Sequence, residues 1–145
     1  IGLVGSEMCI RDRFNVGEYK KKKNFVGSIT TSLPKDVSKD MKDLLDWYNS
    51  IENKKLEDII EFHVKFEHIH PFQDGNGRVG RMIMFRECLR NDIMPFIILD
   101  KDKAYYIKGL KEYDRDSKYL IDTCLYAQDI YENICNQLLD FGINE

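Results

Sequence analysis

A polar segment of twelve residues, 70–81, lies between two apolar runs that each have helical periodicity. It reads HPFQDGNGRVGR and combines an imidazole, a carboxylate, three glycines and two arginines. Two of its glycines come just before the second apolar run, which predicts a loop that opens directly into a helix. The first backbone amides of such a helix have no intrahelical acceptor and remain available to a ligand. The segment therefore predicts a helical fold with a functional loop between two helices.

Apolar residues recur at spacings of three and four through most of the chain, which is typical of helices packed on a core. The predicted helices cover residues 37–51, 56–69, 77–90, 101–112 and 117–141. Residues 24–31 are instead rich in Phe, Val, Ile and Thr, which favour extended backbone. We predict a short hairpin or flap there, because no partner strands lie nearby. The expected fold is all-α, a single compact helical domain with one short β-hairpin.

Three details of packing follow from the same patterns. Helix 77–90 is apolar nearly all round, so we expect it to be the central, buried helix. The lysines at 20–23 are interpreted as an exposed face or turn. The last helix carries an apolar stripe that we expect to be buried; it consists of Leu120, Cys124, Ala127, Tyr131, Ile134, Leu138 and Phe141.

The composition and net charge of the chain argue against several classes of binding partner. The chain has 145 residues and a net charge of −3, which argues against bulk binding to nucleic acid. No apolar run has the length of a membrane span, so we expect no membrane partner. The four cysteines form no CxxC pair, and three of them lie among apolar helical neighbours. We therefore expect reduced thiols and a cytoplasmic protein.

The first thirteen residues, IGLVGSEMCIRDR, resemble a translated sequencing-adapter read-through. We interpret residues 1–13 as a non-native segment and residues 14–145 as the domain. A frayed natural terminus is the alternative. In the first case, the native N-terminal region is missing from the sequence.

The residues of segment 70–81 suggest three separate roles, namely anion binding, metal binding and proton transfer. A glycine-rich helix start binds anions, phosphate above all, and Arg78 and Arg81 in its first turns need an anion to offset the helix dipole. Asp74 lies beside this site, where a carboxylate commonly completes a Mg²⁺ shell. His70 ends the preceding helix and is suited to act as a general base. Together they indicate phosphoryl or nucleotidyl transfer.

A transition-metal site is the main alternative reading of the histidines. His63, His68 and His70 could supply imidazole ligands, with Asp74 as a fourth. On a helix, however, His63 and His70 share a face while His68 points elsewhere. We interpret His63 as a core histidine or as a residue that supports the site from behind.

Residues 70–81 resemble the signature of Fic domains, HPFx[D/E]GNGRxxR, at every defined position. The resemblance extends over most of the chain from residue 14 onward. Gly17-Glu18-Tyr19 and Asn24-Phe25-Val26-Gly27 are similar to the family's lead-in and flap, and Tyr106 with Leu110 is similar to its YxxxL helix.

The resemblance implies a Mg²⁺-dependent transfer of AMP from ATP to a Tyr, Thr or Ser hydroxyl of a target protein, with release of pyrophosphate. It implies that His70 is the catalytic base and that Asp74 holds the metal. The nucleotide-binding residues that it implies are Val26, Gly27, Ser28, Ile29, Asp74, Gly75, Asn76, Gly77, Arg78, Val79, Gly80, Arg81 and Tyr106. The flap is expected to clamp the target by strand-like pairing.

Two departures from the family pattern concern regulation and structure. Lys20 stands where many relatives have Arg. Many relatives also carry an inhibitory helix with the pattern [S/T]xxxE[G/N], and this sequence contains no such pattern. We expect that helix in the missing N-terminal region or in an antitoxin-like partner, and a homodimer also remains open.

Three other functions remain open at this stage. The same fold could remove AMP or transfer another phosphate-containing group. The chain could be a non-catalytic nucleotide-binding module with a regulatory role. It could also be a metal-dependent hydrolase that uses the histidines.

Overall fold

The computed structural model describes residues 17–27 and 29–142. The helices in this range are α1 (Val37–Ser50), α2 (Leu56–Ile69), α3 (Asn76–Arg90), α4 (Lys103–Glu112) and α5 (Ser117–Gly142), with a 3₁₀ turn at Asp100–Asp102. Strands β1 (Phe25–Val26) and β2 (Ile29–Thr30) pair antiparallel, with Phe25 opposite Thr30. The predicted all-α class with one short hairpin is confirmed.

The chain divides into two compact units, residues 1–84 and 85–145, and the boundary falls within α3. The first unit contains the hairpin, α1, α2 and the start of α3. The second contains the end of α3, the 3₁₀ turn, α4 and α5. Residues 1–13 lie outside the described range, so their assignment as a non-native segment stays a prediction. The assignment of residues 14–145 to a single domain also stays a prediction.

Helix α2 forms the core of the first unit. Nine of its 14 residues are buried, including His63 and Glu67. Helix α1 packs against it through a face whose buried residues recur at helical spacing, namely Val37, Met41, Leu44 and Tyr48. Because α2 is buried on nearly all sides, it gives rigid support to segment 70–81, which follows its last residue.

A chain of aromatic rings connects this core to the segment after α2. Tyr48 of α1 lies 4.7 Å from Phe62 between ring centroids, and Phe62 lies 6.5 Å from Phe66. Phe66 in turn lies 6.3 Å from Phe72, which also contacts Tyr19 at 6.1 Å. Pairs at such distances each contribute about 0.5–1.5 kcal/mol beyond simple burial. They fix the start of the loop on the side of α2.

The expectation that α3 is the central, buried helix is wrong. Met82 and Leu89 lie seven residues apart, on one face of α3, and are 53% and 56% exposed. Composition counts apolar residues but does not show which faces meet a neighbour. Helix α2 carries as many charged residues as α3, five in each helix, and is nevertheless buried on more sides.

In the second unit, α4 and α5 pack closely because Gly109 leaves room for Leu120. A Cβ atom on Gly109 would lie 2.9 Å from the Leu120 Cβ. From Leu120 to Leu138, the apolar stripe of α5 is buried only at Leu120, Cys124 and Ala127, whereas Ile134 and Leu138 are 45% and 65% exposed. The helical pattern was thus predicted correctly, but the burial predicted for Ile134 and Leu138 was wrong.

The cysteines in the described range are free thiols. Cys88 and Cys124 are buried as expected, and Cys135 is partly exposed. Among the helices that the structure describes, none combines the length and the apolar character that crossing a bilayer requires.

We predict that Gly109→Ala destabilises the second unit. The new methyl group would lie 2.9 Å from the Leu120 Cβ and 3.0 Å from its Cα, so the helices must separate. Overpacking of this kind costs about 1–3 kcal/mol, and the better helix propensity of Ala offsets about 1 kcal/mol of it. Urea unfolding followed by circular dichroism should show a net loss, whereas Lys111→Ala on the exposed side of α4 should not. A gain in stability of about 1 kcal/mol in Gly109→Ala, which is the full benefit of the better helix propensity, would refute the close packing.

Candidate active site

The last residue before the polar loop, His70, has an unusual backbone. Helix α2 ends at Ile69, and His70 follows in the left-handed region with φ 51° and ψ 60°. Its N–H donates to the Phe66 carbonyl at 2.9 Å, which closes the helix. A non-glycine residue in this region costs on the order of 1 kcal/mol, and such strain persists where the surroundings over-determine it. The imidazole therefore leaves the helix in one defined direction.

The His70 ring is oriented by the residue one helical turn before it. Nδ1 lies 3.2 Å from the Glu67 carbonyl oxygen and 3.6 Å from Glu67 Oε2. A carbonyl oxygen can only accept, so this hydrogen bond requires a proton on Nδ1. Nε2 then carries the lone pair, and the side chain keeps 16% of its surface exposed. This is the tautomer that a general base needs.

Glu67 is a candidate functional residue that the sequence analysis missed. It is only 6% exposed, and its Oε1 lies 3.9 Å from His63 Nε2. Burial by itself would raise the pKa of Glu67, but the hydrogen bond from His70 and the charges of His63, His70 and Arg81 outweigh burial and lower it. The carboxylate is therefore ionised at neutral pH. Its spacing, four residues after His63 and three before His70, was the available signal.

His63 supports this carboxylate from the core. It is 1% exposed, and burial is the largest of the effects that lower its pKa. Glu67 raises that pKa, Arg81 lowers it further, and a backbone hydrogen bond with Gly80 raises it. Because the net shift is downward, His63 is neutral at pH 7. This placement agrees with the interpretation of His63 as a core histidine behind the site.

The loop itself is closed by the side chain of Asn76. The Asn76 Oδ1 accepts from the Phe72 N–H at 2.8 Å, and its Nδ2 donates to the Phe72 carbonyl at 2.8 Å. Asn76 is 1% exposed. Its side chain therefore shapes the loop from inside, so any contact of Asn76 with a nucleotide would be made by its backbone amide.

Helix α3 begins immediately after this closed loop. Gly75 has a φ of 78° and accepts from the Val79 N–H at 3.0 Å. The next amides, at residues 76–78, have no acceptor within the helix. The first turn contains no acidic residue, and Arg78 and Arg81 are half-buried beside it. The arrangement places partial positive charge and two guanidinium groups at one helix start, as anion binding requires.

Two glycines allow α3 to approach α2 at this point. A Cβ on Gly80 would lie 2.8 Å from His63 Cε1 and 2.9 Å from Glu67 Oε1. A Cβ on Gly77 would lie 3.1 Å from Arg81 Nη1 and 3.8 Å from Glu67 Oε1. The glycines of the segment thus serve helix packing around the buried carboxylate. They also bring Arg81 next to the same carboxylate.

The hairpin is tied to the loop by side-chain hydrogen bonds. Asn24, just before β1, donates from Nδ2 to the Phe72 carbonyl at 2.8 Å. The Lys22 N–H donates to Gln73 Oε1 at 3.1 Å, and Gln73 Nε2 donates back to the Lys22 carbonyl at 3.3 Å. Val26, Gly27 and Ile29 are therefore held on the same side of the first unit as the loop. Sequence analysis expected a flap but did not identify these anchors.

The interpretation of the lysines at 20–23 as exposed is wrong for Lys20, which is 3% exposed. Its Nζ donates to Asn24 Oδ1 at 2.7 Å, to Thr31 Oγ1 at 3.1 Å and to the Ile69 carbonyl at 3.1 Å. One ammonium group thus joins the lead-in, the hairpin and the end of α2. Lys20 thus supplies one cation with three donated hydrogen bonds at this junction.

Asp74 was predicted to hold Mg²⁺. It is exposed on the loop, and its Oδ1 accepts from the Gly75 N–H at 2.7 Å. A lone exposed carboxylate next to an anion site fits Mg²⁺, which keeps waters and phosphate oxygens as its other ligands. Within residues 17–27 and 29–142, no three His, Cys, Asp or Glu side chains form a group that could hold a metal by themselves. The alternative metal site of His63, His68 and His70 with Asp74 is therefore not assembled among these residues.

Ser28 and Tyr106 are the two implied nucleotide-binding residues that the described part of the first unit does not contain. Ser28 lies outside the described residues. Tyr106 is on α4 in the second unit and is 3% exposed, so most of its ring is covered by protein. Its predicted place beside adenine, like the other implied nucleotide contacts, stays a prediction.

The chain matches one known protein family over more than half of its length. The profile described as "Fic/DOC family" matches residues 6–88. The chain belongs to the Fic/DOC family. The matched range includes the whole of segment 70–81 together with the hairpin, α1 and α2.

Curated relatives carry the same family name. The chain is 33% identical over 103 residues to "Protein adenylyltransferase Fic" of Drosophila willistoni, covering 69% of this chain and 21% of the relative. The protein of the same name from Nematostella vectensis is 35% identical over 100 residues, covering 66% and 23%. The chain thus spans about a fifth of the length of these Fic relatives.

Solved Fic structures agree in fold. A Fic-domain-containing signaling protein from Bacteroides thetaiotaomicron superposes with a TM-score of 0.71 at 23% identity, covering 89% of this chain and 56% of that one. Fic-1 of Caenorhabditis elegans superposes with a TM-score of 0.69 at 21% identity, covering 89% and 38%. At these identities the superpositions show a shared Fic fold.

We predict that Asn76→Ala destabilises the protein by about 2–4 kcal/mol, because two buried hydrogen bonds are lost and the Phe72 N–H is left unsatisfied. Chemical denaturation with circular dichroism measures the loss. Asn53→Ala, at an exposed position between α1 and α2, is the matched control and should change stability by less than about 0.5 kcal/mol. A loss in Asn76→Ala no larger than in the control would contradict the loop closure.

We predict a pH-dependent contribution from Lys20. Burial lowers the pKa of Lys20 from 10.5 to about 8, an effect that the charge of Asp40 partly offsets. Between pH 8 and 10.5 the unfolded chain therefore binds more protons, so stability relative to Lys20→Arg rises with pH. Urea unfolding across this range should show a relative gain on the order of 1–3 kcal/mol. Exposed Lys21→Arg serves as control, and parallel curves for the parent and Lys20→Arg would exclude the effect.

Proposed function

We propose that the protein is an adenylyltransferase that transfers AMP from ATP to a hydroxyl side chain of a target protein. The observation that carries this proposal is the His70 imidazole, whose Nδ1 donates to the Glu67 carbonyl at 3.2 Å and whose Nε2 is left as the base. This base stands one loop away from a glycine-rich helix start with two arginines. The names of the Fic relatives support the same activity.

His70 acts on the acceptor half of the reaction. Nε2 removes the proton from the Tyr, Thr or Ser hydroxyl as the oxygen attacks the α-phosphorus of ATP. A bond forms between that oxygen and phosphorus, and the bond between the α-phosphorus and the bridging oxygen breaks. Pyrophosphate leaves with the electron pair, and the proton remains on His70 until solvent takes it. A base positioned in this way accelerates such steps by about 10²–10⁴-fold.

The start of α3 acts on the nucleotide half. The open amides of residues 76–78 and the guanidinium groups of Arg78 and Arg81 bind phosphate oxygens and so offset the unfavourable charge at the helix start. Asp74 would hold Mg²⁺, which neutralises phosphate charge when bound. The remaining implied contacts are those of Val26, Gly27, Ser28, Ile29, Gly75, Gly77, Val79, Gly80 and Tyr106.

The hairpin presents the target. β1 and β2 form a two-stranded ribbon with unpaired outer edges in the described range, and an extended target segment can add to such an edge through main-chain hydrogen bonds. Asn24 fixes the ribbon to the Phe72 carbonyl, two residues after the base. A hydroxyl on the added segment would thus be delivered at a set distance from His70. We also propose a cytoplasmic target and control of Arg81 by an inhibitory helix or partner.

We predict that His70→Ala lowers AMP transfer by at least about 10²-fold while Mg-ATP affinity stays within about threefold, because the base touches only the acceptor half. Transfer is measured with α-labelled ATP and a lysate or the protein itself as acceptor, and affinity by calorimetry. His68→Ala, two residues earlier on α2, is the matched control and should retain transfer.

The outcomes separate the competing functions. Transfer that survives His70→Ala would remove the role of His70. Binding of Mg-ATP without transfer by the parent would favour a nucleotide-binding regulatory module. A mass shift on the target other than that of AMP would indicate transfer of a different group, and loss of a pre-attached AMP would indicate the reverse reaction.

A further inference from the structure

The carboxylate of Glu67 is buried directly beside His70, the proposed catalytic base. Oε2 lies 3.6 Å from His70 Nδ1, and Oε1 lies 3.9 Å from His63 Nε2. Oε1 has no hydrogen-bond partner in the part of the chain that the structure describes. A buried carboxylate with an unsatisfied oxygen costs stability, so its presence calls for an explanation other than folding.

The helix that packs against Glu67 is shaped to accommodate it. A Cβ on Gly80 would lie 2.9 Å from Oε1, and one on Gly77 would lie 3.8 Å from the same atom. Any other residue at Gly80 would displace either the carboxylate or His63. The two glycines therefore leave room for a carboxylate that α2 directs toward the site, rather than filling that space with apolar side chains.

From this geometry we propose that Glu67 is a positioning residue for His70. Its carbonyl holds the proton on Nδ1, and its carboxylate stabilises the imidazolium that forms when Nε2 takes the proton of the target hydroxyl. The proposal rests on the proposed adenylyltransferase function. It assigns to one α2 residue the same task that a buried aspartate performs behind the histidine of a serine protease.

The same carboxylate also faces the nucleotide half of the site. Arg81 Nη1 and Glu67 Oε1 both lie within 4 Å of the position that a Gly77 Cβ would take. Glu67 thus lies between the base and an arginine proposed to bind phosphate. The charged or titratable groups placed around His70 are Glu67 and His63 of α2, Arg81 of α3 and Lys20, whose Nζ donates to the Ile69 carbonyl.

The test uses Glu67→Gln, which keeps the size of the side chain and removes its charge. We expect kcat for AMP transfer to fall by about 10–100-fold, because the anion that stabilises the imidazolium in the transition state is lost. The KM for ATP should change by less than about threefold. An anionic neighbour favours the imidazolium, so its removal should move the acid limb of the pH–rate profile to lower pH by about one unit.

A second readout does not depend on activity. The ¹⁵N imidazole signals of His70 report its tautomer and its titration, and in Glu67→Gln they should change with pH at lower values than in the parent. Glu67→Asp restores the charge on a shorter side chain, so it should recover part of kcat and return the acid limb toward that of the parent. Glu61→Gln, at an exposed ion pair with Lys65 on the same helix, is the matched control and should alter none of these quantities.

Several results would overturn the inference. Glu67→Gln with the kcat and pH profile of the parent would exclude a positioning role. A loss of Mg-ATP affinity with unchanged kcat would assign Glu67 to Arg81 instead of His70. If Glu67→Gln does not fold, the test uses Glu67→Asp instead, with its kcat, its pH profile and its His70 ¹⁵N signals compared with those of the parent. If the parent transfers no AMP, the proposed function fails, and a ¹⁵N titration that is the same with and without the charge would then refute the positioning role separately.

Discussion

The structure of the site depends on one closed loop, the reciprocal pair of hydrogen bonds between the Asn76 amide and the backbone of Phe72. These bonds bring the end of α2 and the start of α3 together within four residues. The Phe72 carbonyl also accepts from Asn24, so the hairpin is fixed to the same point. The proposed base, the helix start proposed to bind phosphate and the ribbon proposed to bind the target thereby share one anchor. The aromatic contacts of Phe72 with Phe66 and Tyr19 attach that anchor to the core.

Buried charge is the second organising element of the first unit. Lys20 and Glu67 are both almost fully buried, one beneath the hairpin and the other beneath the base. Each costs desolvation energy that apolar residues would avoid. Lys20 recovers part of that cost through three acceptors, whereas Glu67 leaves one oxygen unsatisfied. The burial of the Lys20 ammonium is therefore explained by its structural hydrogen bonds. The burial of the Glu67 carboxylate is better explained by the proposed chemistry at His70.

Much of the fold could be predicted because helical periodicity is a local property of the chain. The helix boundaries, the hairpin and the position of His70 at a helix end all follow from neighbouring residues. Burial could not be predicted as well. Met82 and Ile134 look like core residues by spacing but are exposed, whereas Lys20 looks like a surface residue but is buried. The burial of a side chain depends on which face of its helix or loop another element covers. Neighbouring residues in the sequence do not determine this.

The sequence by itself determined the helical class, the loop entering α3 and the chemical groups of segment 70–81, because residue type and spacing decide those features. The tertiary structure decided how these groups are arranged. It turned the Asn76 side chain inward, directed His70 Nδ1 at the Glu67 carbonyl and set the Glu67 carboxylate against Gly80. The contact of Glu67 with Gly80 requires α2 and α3 to approach within contact distance, and the distance between two helices depends on their packing as a whole. The other two arrangements depend on the left-handed backbone at His70 and on the loop that follows it.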